Sequence, residues 1–219
     1  MMNQFLSLFL KEKCPLCDRP ADEVVCRDCD RQLKKCQFPN PKKYWQNSLP
    51  LYVWGRYDGA LKRAIATMKF NDRPQLGTWF GQQLGATWRR TFPQQQKLMV
   101  VPIPLHPEKQ QQRGFNQAEL ISRQFAQITG FRHDKTSFVR TKSTKPLFEL
   151  SLGERQQEIA SAFALSADGR KKLGDRPILL IDDIYTSGTT AQEAQATLQK
   201  YGLKVHGIAA IATPKQSQP

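Results

Sequence analysis

The sequence predicts a parallel-sheet α/β domain with a small four-cysteine module in front of it. Three observations predict this. Apolar runs of strand length fall at residues 97–104, 177–181 and 205–212, and segments with a helical period lie between strands. Strands alternating with helices at this spacing are the pattern of βαβ units and a parallel sheet. Two Cys-x-x-Cys pairs, Cys14/Cys17 and Cys26/Cys29, lie close together in a polar, loop-rich segment. A chain of 219 residues, 39% of them hydrophobic and 24% charged, holds one such domain plus an appendage, and that balance is the one of a folded protein.

The elements follow in order. The start, MMNQFLSLFL, reads as a short amphipathic helix rather than a signal peptide, because its apolar run is short and lacks a basic front end. Residues 37–50 mix Pro, Asn and Lys without a period and read as a linker. This divides the chain into a metal module over residues 1–36, a linker over 37–50 and a main domain over 51–219. Residues 51–57 (LYVWGRY) read as a strand. Leu61, Ile65 and Met68 then recur at helical spacing, as do Leu76, Phe80, Leu84 and Trp88 across residues 75–90.

After the strand within 97–104, residues 105–114 are polar and basic and read as a loop. Asn116 caps the next helix with Glu119 three residues on, as in a capping box, and Gly130 ends it. Residues 131–140 hold another short strand, and 141–160 read as a mobile loop. A fully apolar strand at 177–181, a helix at about 190–201 and a last strand at 205–212 complete the order. The sequence has no apolar stretch of about 18 residues, so no transmembrane helix is expected.

The four cysteines predict a metal site. Each C-x-x-C turn aims two thiolates at one point, and two turns complete a tetrahedral Zn²⁺ shell. A segment this small and polar would draw most of its stability from the ion. Four thiolates leave no open position, so the zinc is structural. Cys36 lies outside both pairs and is a bystander.

The net charge of +14 is unevenly spread: residues 1–30 carry −2 and the remainder +16. A surplus of that size favours polyanionic partners such as nucleic acid or a polyphosphate. The basic run Arg132, Lys135, Arg140, Lys142 and Lys145, together with Lys69, forms the candidate nucleic-acid set.

The densest chemistry lies at residues 178–190, ILLIDDIYTSGTT. Four bulky apolar residues run into Asp182 and Asp183, then into Thr186, Ser187, Gly188, Thr189 and Thr190, which open a helix. A buried parallel strand ends where α/β proteins bind ligands. Backbone amides at a helix start form an anion site, and a glycine lets the backbone approach it closely. Adjacent carboxylates beside an anion cradle need a reason, and the two hydroxyls of a ribose supply one. The unit therefore reads as carboxylates for a ribose diol and a cradle for its 5′-phosphate. It is neither a Walker loop nor a dinucleotide fingerprint, since G-K-[ST] and G-x-G-x-x-G are absent.

This stretch resembles the signature of type I phosphoribosyltransferases. From residue 14 to residue 212 the chain resembles the ComF family, which joins a four-cysteine zinc module to such a domain. The resemblance is carried by C-P-L-C at 14–17, Y-x-G-x-L at 57–61, Lys69-Phe70, V-P-I-P-L-H-P at 101–107, R-G-F-N-Q-A-E at 113–119 and L-x-x-x-E-R at 150–155. It implies a type I phosphoribosyltransferase (Rossmann-like) fold that binds 5-phosphoribosyl-1-pyrophosphate (PRPP). It also implies a pyrophosphate loop over residues 101–117 with His106, Arg113 and Gly114, and a hood over 140–163 that closes on the ligand. Asp182, Asp183 and Arg113 are the catalytic candidates, with Mg²⁺ accompanying PRPP, if the site transfers phosphoribosyl groups. Leu147 and Glu158 stand where the family pattern has Gln and Asn. The family is associated with natural transformation, which implies a cytoplasmic competence protein acting on single-stranded DNA, with a helicase of the competence machinery as a further partner. The alternative is an active phosphoribosyltransferase of nucleotide metabolism acting on a nucleophile the sequence does not identify.

Overall fold

The computed structural model describes residues 12–45, 48–93, 96–144 and 150–214. The expected N-terminal helix lies outside them. The main sheet is built from β3 (Leu51–Arg56), β4 (Met99–Pro102), β5 (Arg132–His133), β8 (Ile178–Ile184) and β9 (Val205–Thr213). Its order is β3-β9-β8-β4-β5, and every neighbouring pair is parallel. The predicted fold class is the observed one.

Apolar residues fill both faces of this sheet along β3, β4, β8 and β9, which are buried on both sides. Along β8, Leu179 and Ile181 face one core and Ile178 and Leu180 the other. All four are fully buried; each such side chain contributes about 1.5–3 kcal/mol of transfer free energy. On the first face lie α2 (Gly59–Phe70), α3 (Gln75–Thr91) and α5 (Gln117–Thr129). On the second lie α7 (Gly169–Leu173), α8 (Thr189–Lys200) and a small antiparallel pair, β6 (Phe138–Arg140) with β7 (Phe163–Leu165). Phe138 and Phe163 stack at 5.1 Å within it.

Helices α3 and α5 meet along a glycine seam. Gly77, Gly81 and Gly85 recur every four residues on the buried face of α3. A Cβ at 81 would sit 2.5 Å from the Ile121 carbonyl oxygen, and one at 77 would sit 2.6 Å from Leu120 Cβ. Glycine in a helix costs roughly 1 kcal/mol relative to alanine, and here that cost permits backbone contact that larger residues would block. The sequence reading identified the apolar row of α3 but not this seam.

The cysteine module is joined to the same core. It comprises the antiparallel pair β1 (Glu12–Lys13) and β2 (Pro20–Ala21) and the helix α1 (Arg27–Lys34). Cys14, Val25, Cys29 and Leu33 are buried in one cluster with Trp54, Leu61, Ile65 and Trp79. The segment that follows, read as a linker, is hydrogen-bonded along β3. Phe38 N donates to Trp54 O at 2.9 Å, Val53 N to Pro41 O at 3.0 Å and Leu51 N to Tyr44 O at 3.1 Å.

Two loop expectations are corrected. Residues 105–114 contain the helix α4 (Pro107–Arg113), with proline in its first turn and Gly114 as its left-handed cap. Residues 141–160 contain α6 (Leu152–Ile159), started by a Ser151/Glu154 capping box. Their polar faces hid the helical period. The strand expected within 131–140 is two strands, β5 and β6. Asn116 caps α5 by accepting from Ala118 N at 2.9 Å, whereas Glu119 turns away to Lys135 at 2.7 Å, so that capping box does not form.

Candidate functional site

Strand β8 carries the carboxylates to the carboxyl edge of the sheet, beside the end of β4. Asp182 is partly exposed and Asp183 is buried. Asp183 N donates to Asp182 Oδ1 at 2.8 Å, which fixes the first carboxylate against the strand end. The two groups titrate apart. Burial pushes Asp182 well above the usual carboxylate range, and the adjacent Asp183 charge adds to this. Burial also pushes Asp183 upward, but the Lys69 ammonium more than offsets it and holds Asp183 below the ordinary 3.8.

Lys69, near the end of α2, forms an ion pair with Asp183 in which the lysine side chain is 18% exposed and the aspartate 5%. Asp183 also accepts from Gln117 Nε2 at 3.5 Å, and Gln117 accepts from Arg113 Nη1 at 2.7 Å. Asn116 Nδ2 donates to Ile103 O at 3.0 Å and so ties the start of α5 to the loop after β4. Arg113, on the last turn of α4, is partly desolvated, and burial lowers its pKa while the Asp183 charge acts against that.

Two further cations complete the surroundings. Arg140, at the end of β6, is lowered by burial and drawn electrostatically to Asp182 and Glu158. It hydrogen-bonds Thr144 and lies over the Phe163 ring, 5.6 Å from its centroid. Lys109 donates to Thr144 O at 2.7 Å and is lowered by burial and by the charges of Arg140 and Arg113. Lys69, Arg113 and Arg140 thus act on the two carboxylates, and Lys109 lies within electrostatic reach of both arginines, a setting that favours an anionic ligand with several oxygens.

The cradle lies between β8 and α8. Gly188 adopts φ 85° as the cap residue before Thr189, and a Cβ there would meet the Tyr185 hydroxyl at 2.2 Å. Glycine is therefore required by backbone angle and by space. Ser187 Oγ and Thr189 Oγ1 are 2.8 Å apart, Thr186 is exposed and Thr190 half-buried. Among the described residues, the amides of residues 186–190 donate to no backbone carbonyl, as expected of a helix start open to an anion.

His106 caps the start of α4, its side chain 14% exposed and its Nδ1 3.5 Å from Glu108. The five nucleic-acid candidates among the described residues do not form one surface. Lys69 and Arg140 turn into the carboxylate site. Arg132 and Lys135 are exposed, with Lys135 bound to Glu119. Lys142 donates to Gln157 O at 3.5 Å. Lys145 and Leu147 lie outside the described residues. Sequence reasoning missed the joining of Lys69 to Asp183 and the roles of Gln117 and Lys109. Lys69 and Asp183 are far apart in the chain, and no local pattern announces the pair.

The four thiols of Cys14, Cys17, Cys26 and Cys29 offer sulfurs all within 4.8 Å of one another, and this group could hold a metal ion. Cys17 and Cys26 Sγ are 3.6 Å apart, close to the roughly 3.8 Å edge of a tetrahedron with ~2.3 Å metal–sulfur bonds. Arg19 Nε donates to Cys17 Sγ at 3.4 Å and lowers that thiol to about 6, so the ligand form is available at neutral pH. Cys36 faces Gln32 O and Asp58 O instead, each at 3.8 Å.

No family model matches the chain. It is 28% identical over 195 residues to competence protein ComFC of Bacillus subtilis, which covers 86% of this chain and 72% of that protein. It is also 28% identical over 212 residues to competence protein F of Haemophilus influenzae, covering 86% and 91%. The DNA utilization protein YhgH of Escherichia coli K12 is 28% identical over 195 residues, covering 88% and 80%. Among solved structures, an adenine phosphoribosyltransferase from Trypanosoma brucei covers 86% of this chain and 70% of its own at 9% identity and a TM-score of 0.42. The similarity to ComF-family sequences thus runs across most of the chain. Among the described residues, no helix is long and apolar enough to cross a membrane.

The ion pair gives a pH-dependent prediction. Asp183 is depressed in the folded protein, so its contribution to stability is full above pH 3.8 and is lost as pH falls through its folded value. In Lys69→Met the buried carboxylate is raised instead, so neutral pH costs stability. Urea unfolding should show the gap between wild type and Lys69→Met smallest at acid pH below the depressed Asp183 value, where the carboxylate is protonated in both, and widening to about 3 kcal/mol at pH 7. A constant separation across that range would refute the assignment.

Proposed function

We propose that this ComF-like chain binds PRPP or a related phosphoribose group at Asp182–Asp183 and acts on single-stranded DNA in natural transformation. The observation that carries the reading is the carboxylate pair at the end of β8, followed by an open helix start and paired electrostatically with Lys69, Arg113 and Arg140. The carboxylates suit the ribose diol. Residues 186–190 suit the 5′-phosphate, and Arg113, His106 and Gly114 lie on the segment that would flank a pyrophosphate. The names of the ComFC, competence protein F and YhgH relatives support the competence setting.

Mg²⁺, when bound with PRPP, would neutralise pyrophosphate charge. The residues present fit such a ligand, since Asp182 is the less encumbered carboxylate, with Arg140 drawn to it while Lys69 and Arg113 act on Asp183. A phosphoribosyl transfer at this site would rely on positioning and charge stabilisation. The helix α6 is the described element within the 140–163 hood that would exclude water, and the pair β6–β7 frames its two ends. Structural zinc at Cys14, Cys17, Cys26 and Cys29 completes the reading. Active transfer to an unidentified nucleophile is the second reading, and the intact Asp182–Asp183–Arg113 set favours it.

Calorimetry with PRPP and Mg²⁺ should detect binding by wild type and at least a tenfold loss in Asp182→Asn, whose fold should be unchanged. Absence of binding by wild type would end the ligand reading. Single-stranded DNA affinity should fall steeply as salt rises, with a slope reflecting several phosphate contacts; a flat dependence would remove the DNA assignment. Elemental analysis should find one zinc per chain, and chelation should lower the melting temperature of the whole protein, because the thiols belong to its core. A metal-free, fully folded preparation would overturn the zinc assignment.

A further inference from the structure

We propose that Phe70 is a stacking platform for a nucleobase at the rim of the Asp182–Asp183 site; this rests on the phosphoribose reading and adds the group carried by the ribose. Phe70 ends α2 and is 74% exposed, the most exposed large hydrophobic side chain among the described residues. Its neighbours on the same helix, Ile65 and Met68, are completely buried. The helix therefore places its final aromatic ring in solvent while burying the rest of its apolar face.

Two independent tethers hold that ring beside the carboxylates. Lys69, the preceding residue, is ion-paired to Asp183. The Arg113 guanidinium lies over the Phe70 ring, 5.7 Å from its centroid, and Arg113 is itself bound to Gln117, which reaches Asp183. A cation thus lies over the ring, and with the side chain 74% exposed most of its surface is available to a ligand. A planar heterocycle on that surface would complete a cation–aromatic–base stack. Such stacking tolerates any base, because every base has a π-face. A phenyl ring offers no hydrogen bond, so the platform would select for a base without selecting which one.

The test compares two ligands that differ only by the base: ribose 5-phosphate and adenosine 5′-monophosphate, titrated calorimetrically into wild type, Phe70→Ala and Phe70→Trp. Wild type should bind the nucleotide about tenfold more tightly than the base-free sugar phosphate. Phe70→Ala should lose that tenfold preference and keep its affinity for ribose 5-phosphate, and Phe70→Trp should retain the preference. Equal nucleotide binding by wild type and Phe70→Ala would overturn the platform alone. Failure of wild type to bind either ligand would instead overturn the phosphoribose reading beneath it. A parallel loss of both ligands in Phe70→Ala would show a structural role and refute the proposal, as would self-association of wild type that Phe70→Ala abolishes.

Discussion

The ion pair between Lys69 and Asp183 is the constraint around which the site is arranged. A carboxylate at 5% exposure is stable as an anion only when a cation or several donors compensate it. Lys69 brings the end of α2 to the end of β8. Gln117 brings the start of α5 to the same carboxylate, and Arg113 follows through Gln117. Four elements from three separate parts of the chain are thereby registered on a single oxygen pair. The neighbour Asp182 gains a different character from the same pair, since the anion beside it and its own burial both favour its protonated form. Two chemically identical side chains in sequence become an ionised anchor and a more weakly acidic ligand group.

The fold was largely legible because four of the five strands of its main sheet are buried on both faces, which leaves continuous apolar runs that few alternatives explain. The helices of the first face were legible for the same reason: Leu61, Ile65 and Met68 must all be covered. The helices α4 and α6 were not legible. Each presents mainly polar side chains, and their starts are set by a proline turn and a capping box rather than by an apolar stripe. The carboxylates and the cradle were legible as a local pattern of strand, acids and small hydroxyl residues. Their cationic surroundings were not, because Lys69, Lys109 and Arg140 come together only through tertiary folding. A basic residue in a sequence looks the same whether it will face a solvent-exposed polyanion or a buried carboxylate.

The cysteine module shows a related limit. Its ligand spacing was readable, but its dependence on the body was not. Cys14, Cys29 and Leu33 share a core with Trp54 and Trp79, so the loop turns that would coordinate an ion are also shaped by the sheet domain. The ion and the apolar core would stabilise one another.

The segment from Phe38 to Tyr44 has a consequence for how these molecules meet. It occupies the outer hydrogen-bonding edge of β3, while the opposite edge of the sheet is the two-residue strand β5. Neither side therefore offers a long row of free amides and carbonyls for another strand to join. A protein with so many apolar strand residues would otherwise be prone to edge-to-edge aggregation, and here one border is capped by the chain's own irregular segment and the other is too short to template growth. Partners that dock through strand addition are thereby disfavoured, and contacts through side chains and loops are left as the means of assembly.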